Sequence, residues 1–295
     1  MGFISIIIVT CNSAARIQKC LDSVMGQRNK KWELIVVDNA STDKTKEILK
    51  CRPEQINLIE NSVNFGYAKA LNQGIAASAG EFILCLNDDV VLQGEDFLTS
   101  VSEGLNKDGH CGAVQPKMLK PDGAIDTTGI KLSFLRRYYD LNHGQADAPE
   151  FNREKYIFGA CDAAVLYRRK ALKEICRAGE YFDEDFFGLV EDVDLSWRLQ
   201  KRGWSTIYSP QAVGIHYRGL SRRRDHFSRY LNLRNRYFML IKNESLWGFL
   251  RLPLVFLIYD LWRNLFMLLI NPGYVLKTYV EVAAKLPEML NKRKD

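Results

Sequence analysis

The sequence predicts an α/β fold: a doubly wound, mainly parallel central sheet flanked by helices. Three observations carry that expectation. Four short apolar runs alternate with helical patterns before Val91, the signature of repeated strand–helix units. The connections are short, which favours crossover helices between neighbouring parallel strands. Each run ends in small polar residues, so these endings gather along one edge of the sheet, where ligands of open α/β sheets bind.

Taken in order, residues 3–9 are a β-branched run ended by Thr10-Cys11-Asn12-Ser13. A helix follows from about Ala15, with Ile17, Leu21 and Val24-Met25 on one face. Residues 32–37 form a second strand closed by Asp38-Asn39-Ala40-Ser41-Thr42-Asp43, where Ser41 or Thr42 is expected to cap the next helix. A shorter strand spans 56–59, and the turn 61–66 leads into a helix over 67–77. The fourth strand, 82–86, runs straight into Asn87-Asp88-Asp89. Beyond it the pattern predicts a helix at 97–105, a strand at 112–117, a hairpin near Asp122-Gly123, a strand at 163–167 and a helix at 169–176. A further helix, 193–202, is stopped by Gly203 before a strand at 205–208.

The 295 residues, 47% hydrophobic and 26% charged, suit one large core or two smaller ones. Seven scattered cysteines without a C-x-x-C pair read as reduced thiols of a cytosolic protein. No secretory or myristoylation signal opens the chain. The net charge of +6 is concentrated late, in Arg222-Arg223-Arg224 and Lys292-Arg293-Lys294. Such patches fit anionic lipid, nucleotide phosphate or nucleic acid. From Asp225 bulky apolar residues mix with arginines, and 252–270 is almost wholly apolar apart from Asp260, Arg263 and Asn264. That narrow polar stripe, carrying an ionic pair, predicts an amphipathic helix lying in a membrane interface over a transmembrane or re-entrant helix and over a buried dimer or core helix. Trp247, Tyr259 and Trp262 suit the same boundary.

Asn87-Asp88-Asp89 at a strand end offers a seat for a hard divalent cation carrying a phosphorylated ligand, although Asp-rich turns also occur for conformational reasons alone. The stretch 182–198, with Glu191, Asp192 and Asp194, fits either an acidic helix N-terminus or a second carboxylate centre. No G-x-G-x-x-G follows the first strand and no G-x-x-x-x-G-K occurs, which argues against dinucleotide or P-loop binding by those devices. The aromatic–basic mixture is helical, unlike an RNA-binding sheet, so no nucleic-acid partner is expected.

The ordered set Thr10, Asp38, Asn64-Phe65-Gly66 with Asn72, Asn87-Asp88-Asp89, Asp192 and His216 resembles family 2 glycosyltransferases of the GT-A fold, over about residues 4–221. The branch it is most similar to moves rhamnose or similar sugars to lipid-linked glycans. The resemblance implies that Thr10, Asn12 and Asp38 hold the nucleotide, with Asp38 accepting from the imide N–H of a pyrimidine base. Asn64, Gly66, Asn72, Asn87, Asp88 and Gly159 would approach the ribose, diphosphate and donor sugar. It further implies that Asp89 and His216 hold Mn²⁺ or Mg²⁺. Here Asn87 stands where the family's metal motif begins with Asp. Asp192 would be the catalytic base and Glu191 an orienting group; one base without an enzyme nucleophile implies inversion.

The expected partners are a dTDP- or UDP-sugar, a lipid-linked glycan and the cytoplasmic face of the membrane. The oligomeric state stays open. Residues 1–120 would form the nucleotide-sugar half, 121–221 the acceptor half and 222–295 the membrane-associating helices. The competing readings are a non-catalytic nucleotide-sugar binder and a nucleotidylyltransferase; the second would want a Gly-rich basic loop after the first strand, which is lacking.

Overall fold

A computed structural model describes residues 2–218 and 226–293. The run Arg222-Arg223-Arg224, the end of the His216 motif at Gly219, Leu220 and Ser221, and Lys294 lie outside the described residues.

The first half alternates as the sequence predicts. Strands β1 (Ile4–Thr10), β2 (Trp32–Asp38), β3 (Asn57–Glu60) and β4 (Phe82–Asn87) alternate with helices α1 (Ile17–Met25), α2 (Thr45–Lys50) and α3 (Tyr67–Ala76). All four strands run parallel, in the order β4-β1-β2-β3. Period-two geometry explains why β1 carries apolar residues on both of its faces. Ile4, Ile6 and Ile8 face a layer containing α1, while Ile7 and Val9 face α3 on the other side.

The second half departs from a purely parallel sheet. It contains β5 (Val90–Leu92), α4 (Phe97–Lys107), β6 (Cys111–Leu119), β7 (Ile125–Thr127), β8 (Ile130–Leu132), β9 (Tyr138–Asp140) and β10 (Lys155–Ile157). Then come β11 (Ala164–Arg168), α5 (Arg169–Ile175), α6 (Glu191–Lys201) and β12 (Ser205–His216). β11 inserts antiparallel between β4 and β6, and β12 runs parallel to β6. The expected hairpin forms where β6 and β7 pair around Gly123, whose φ of 84° suits a residue without Cβ.

Three local expectations are corrected. Neither Ser41 nor Thr42 caps α2: Asp43 accepts from the Thr45 amide at 3.0 Å, while Ser41 accepts from the Asn12 amide. β12 extends eight residues beyond the expected strand end at Tyr208, because its last residues pair with β5 as Ile215↔Val91 and His216↔Val90. α6 begins at Glu191, placing Glu191 and Asp192 in its first turn.

The C-terminal part is helical: α7 (His226–Asn243), α8 (Leu246–Phe249), α9 (Leu252–Val255), a π-helical turn Phe256–Asp260, α10 (Leu261–Ile270) and α11 (Pro272–Asn291). Arg234 and Arg236 of α7 point inward. Arg236 is fully buried and donates to Asp260 at 2.5 Å and 3.1 Å. The expected ionic pair inside 252–270 is therefore corrected: Asp260 pairs with α7, and Arg263 donates to Asn232. The outer face stays apolar, with Trp247, Leu250, Trp262 and Leu269 between 66% and 87% exposed. Residues Trp247–Ile270 are long and apolar enough to cross a membrane by length and composition.

Candidate functional site

The parallel register aligns the strand ends, pairing Thr10 with Asp38 and Val9 with Asn87. Asp38 is fully buried. One carboxylate oxygen accepts from the Ser41 amide at 3.1 Å, with Lys46 3.6 Å away, while Oδ1 has no hydrogen-bond partner. A buried, unpaired carboxylate oxygen is costly in isolation and points to a donor from outside the chain. The Thr10 hydroxyl beside it in register is likewise buried.

Several expected nucleotide contacts are committed to the protein itself. Asn12 (φ 55°) accepts from the Thr42 amide at 2.8 Å, tying the first two strand-end loops together. Asn64 accepts from Asn39 at 2.8 Å and from the Gly66 amide at 2.9 Å. A Cβ on Gly66 would collide with Phe187, whose carbonyl accepts from the Tyr67 amide at 2.5 Å at the start of α3. The close approach allowed by Gly66 is thus made by Phe187. Asn72 is also engaged within the chain: it accepts from the amides of Tyr181 and Phe182 and donates to the Phe182 carbonyl at 2.7 Å. It braces the loop before α6 from the second turn of α3. Gly159 lies against Ser196, where a Cβ would clash, so it lets the segment after β10 pass close to α6.

At the end of β4, the Asn87 side chain accepts from the Tyr67 hydroxyl at 2.8 Å. Asp88 accepts from the Ser13 hydroxyl; burial raises its pKa and the Ser13 bond opposes that rise. Asp89 lies 3.1 Å from His216 Nε2, and His216 Nδ1 contacts Asp126 at 2.8 Å. Burial would lower the His216 pKa, but its bonds to Asp126 and Asp89 outweigh this and push it up to about 9. Arg218 joins Asp126 to Asp140, bonding the latter at 3.0 Å.

This arrangement fits a divalent cation. An imidazole nitrogen and a carboxylate oxygen face each other, and a second carboxylate on the opposite imidazole nitrogen orients the ring as in protein metal sites. Two cis ligands each about 2.1 Å from an octahedral ion stand about 3 Å apart, close to the separation seen here. Among the described residues no cluster of three or more His, Cys, Asp or Glu side chains could hold a metal alone. Diphosphate and water would complete such a shell.

The second centre lies across Tyr67. Its hydroxyl, bonded to Asn87, also donates to the Asp162 carbonyl at 3.3 Å. Asp162 accepts from the Tyr167 hydroxyl at 2.8 Å and has a second, unpaired carboxylate oxygen; Glu191 Oε2 is unpaired too. Burial followed by the Asp192 charge raises the pKa of both Asp162 and Glu191. Burial, then Asp140, pushes Asp192 up to about 7. Such a carboxylate can exchange a proton near neutral pH. Arg198, paired with Asp194 at 2.9 Å, donates to the Ile175 and Tyr181 carbonyls, and Trp197 meets Phe158 edge-on, so Arg198 and Trp197 hold α6 in place.

The loop entering α6 is strained: Phe187, Leu189 and Val190 have φ of 63°, 70° and 73°. Asn235 on α7, fully buried, donates to the carbonyls of Phe186, Gly188 and Leu189 at 2.8–2.9 Å. Lys242 holds Asp183 and Asp194, and Lys292 holds Asp183 and Asp185.

Sequence reasoning assigned no role to Asp126 or Asn235, and marked Asp162 only as the last residue of the turn Gly159-Ala160-Cys161-Asp162 near the donor sugar and acceptor. The available signals were an acid between Ile125 and Thr127, an acid just before β11, and an asparagine between Arg234 and Arg236.

The family model described as Glycosyl transferase family 2 matches residues 5–176. An N-acetylglucosaminyl-diphospho-decaprenol L-rhamnosyltransferase of Mycobacterium tuberculosis is 26% identical over 266 residues, covering 79% of this chain and 84% of the relative. Two solved structures share the fold. A mannosyltransferase from Pyrobaculum calidifontis, in complex with GDP-Man and Mn²⁺, has a TM-score of 0.59 at 19% identity, covering 97% of this chain and 75% of that one. S. aureus TarS 1–349, in complex with UDP-GlcNAc, has a TM-score of 0.56 at 19% identity, covering 82% and 68%.

Proposed function

The chain belongs to glycosyl transferase family 2, and from that premise we propose that it transfers rhamnose or a similar sugar, with inversion, from a dTDP- or UDP-sugar to a lipid-linked glycan. The observation that carries this reading is the pair of centres joined by Tyr67, with Asn87-Asp88-Asp89 on one side and Asp162 beside Asp192 on the other.

The nucleotide base lies over the ends of β1 and β2, where the unpaired Asp38 oxygen accepts its imide N–H. Asp89 and His216 would hold Mn²⁺ or Mg²⁺, which when bound neutralises charge growing on the departing diphosphate. The acceptor hydroxyl attacks the anomeric carbon from the opposite face, the bond from that carbon to the diphosphate oxygen breaks, and Asp192 takes the hydroxyl proton. Glu191 and Asp162, sharing that buried acidic environment, orient the acceptor sugar. The Mn²⁺ bound in the mannosyltransferase neighbour and the lipid-linked substrate of the mycobacterial relative support the metal and acceptor assignments.

The apolar outer face of α8–α10 rests in the cytoplasmic membrane surface while their polar residues dock on α7. The test is product formation from a panel of nucleotide sugars with Mn²⁺ and a diphospholipid-linked acceptor. Asp192→Asn is expected to abolish transfer while preserving fold and donor binding. Normal turnover in that variant would refute the assignment of the base.

A further inference from the structure

The end of α6 opposite Asp192 borders a second, strongly basic cavity. It has a volume of about 100 Å³, lies among the C-terminal ends of α5, α6, α7 and α11, and takes seven of its eleven lining residues from Arg or Lys. At 1.5 Å per helical residue, Arg202 stands about 15 Å from Asp192, so the cavity is separate from the transfer site.

Its inner wall is built. Lys242 and Asn243 are 3% and 1% exposed, Lys242 is neutralised by Asp183 and Asp194, and Arg198 is neutralised by Asp194. The one acidic lining residue, Glu174, accepts from the Trp204 indole at 2.8 Å. Lys201, Arg202 and Arg293 make no ion pair with an acid among the described residues. Burial, then the Arg293 charge, holds the Lys201 amine below the usual lysine range against the opposing charges of Asp194 and Glu244. Converging ammonium and guanidinium groups are suited to phosphate oxygens.

The position of the rim says where that phosphate comes from. The Arg293 guanidinium lies 4.4 Å over the Phe249 ring. Phe249 is flanked by Trp247 and Leu250, 81% and 72% exposed, where the apolar face begins. We propose that this cavity receives the phosphate of an anionic phospholipid headgroup, gripped by Lys201, Arg202 and Arg293, while Trp247 and Leu250 enter the adjoining acyl region. The lipid source rests on the membrane-surface reading given above; the anion chemistry of the cavity does not.

The test uses the full chain with phosphatidylcholine vesicles, with and without phosphatidylglycerol, and inorganic phosphate as a separate probe. The wild type is expected to bind the anionic vesicles about tenfold or more tightly than the neutral ones. Lys201→Glu/Arg202→Glu is expected to lose that preference while keeping neutral-vesicle binding and sugar transfer. Lys30→Glu/Lys31→Glu, an equal charge change on exposed residues before β2, is expected to keep the preference. Retention of the preference by the first variant, or equal loss in both, overturns the proposal. A phosphate-induced rise in Tm that requires Lys201 and Arg202, without any vesicle preference, assigns the cavity to soluble phosphate and overturns the lipid source. Failure of the wild type to bind any vesicle refutes the membrane reading itself, and the phosphate arm then decides whether the cavity binds anions at all.

Discussion

Asn235 of α7 donates to the Leu189 carbonyl at 2.8 Å, and the same amide group reaches Phe186 and Gly188. One side chain of the C-terminal helices thereby holds the strained turn immediately ahead of Glu191 and Asp192. Asn235→Ala leaves buried carbonyls unpaired, at about 1–3 kcal/mol for each that finds no water. The expected outcome is a lower Tm and a fall in kcat larger than the change in donor KM, measured by thermal melts and steady-state kinetics. Unchanged kcat would mean that the turn holds its shape without α7.

Asp192 gives a pH dependence with a definite sign. Its folded pKa of about 7 exceeds the ordinary carboxylate value, so the folded state binds the proton more tightly. The associated stability is complete below about pH 4 and is lost as pH rises through about 7. Activity runs the other way, since the base must be ionised. Turnover is expected to rise through about pH 7, while Asp192→Asn melts higher than wild type at pH 8 and is inactive. A rise in activity centred near pH 4 would contradict the role of Asp192.

Asp126 acts through His216. Asp126→Asn keeps the shape but weakens the charge that orients the ring, and loss of such a partner typically costs 10–100-fold in metal affinity, so a shift of about that size is expected. Mn²⁺ titrations of activity should show it, and chelation should silence both proteins. An unchanged Mn²⁺ midpoint would remove Asp126 from the metal site.

Asp38 carries the nucleotide prediction. Replacing the unpaired carboxylate oxygen by Asp38→Asn removes a charged acceptor, a loss of about 1.5–3 kcal/mol and so roughly 10–100-fold in donor affinity. Calorimetry with the free nucleoside diphosphate measures it directly. Equal affinity would place the base elsewhere.

Strand ends were legible because apolar runs and the polar residues that close them are local. Thr10, Asp38 and Asn87-Asp88-Asp89 are placed at one edge by the sequence, and the register of β1, β2 and β4 agrees. Asn64 and Asn72 show the limit of that reading. An asparagine beside a predicted site looks the same whether it meets a ligand or a backbone; Asn72 meets the Tyr181 and Phe182 amides. The arginines of α7 looked like a membrane-facing mixture, but Arg236 is buried on Asp260.

The sequence by itself determined the alternating fold, the edge on which chemistry sits and the carboxylates at strand and helix ends, because periodicity and chain direction are properties of short segments. Tertiary structure alone decided which groups meet. The 12-residue β12 carries His216 to Asp89, an excursion hidden beyond Tyr208, and Asp126 reaches His216 from 90 residues away. Tyr67 joins the two centres, and Asn235 secures the turn before Asp192. Such pairings depend on how separate elements pack, and no window of sequence contains both partners.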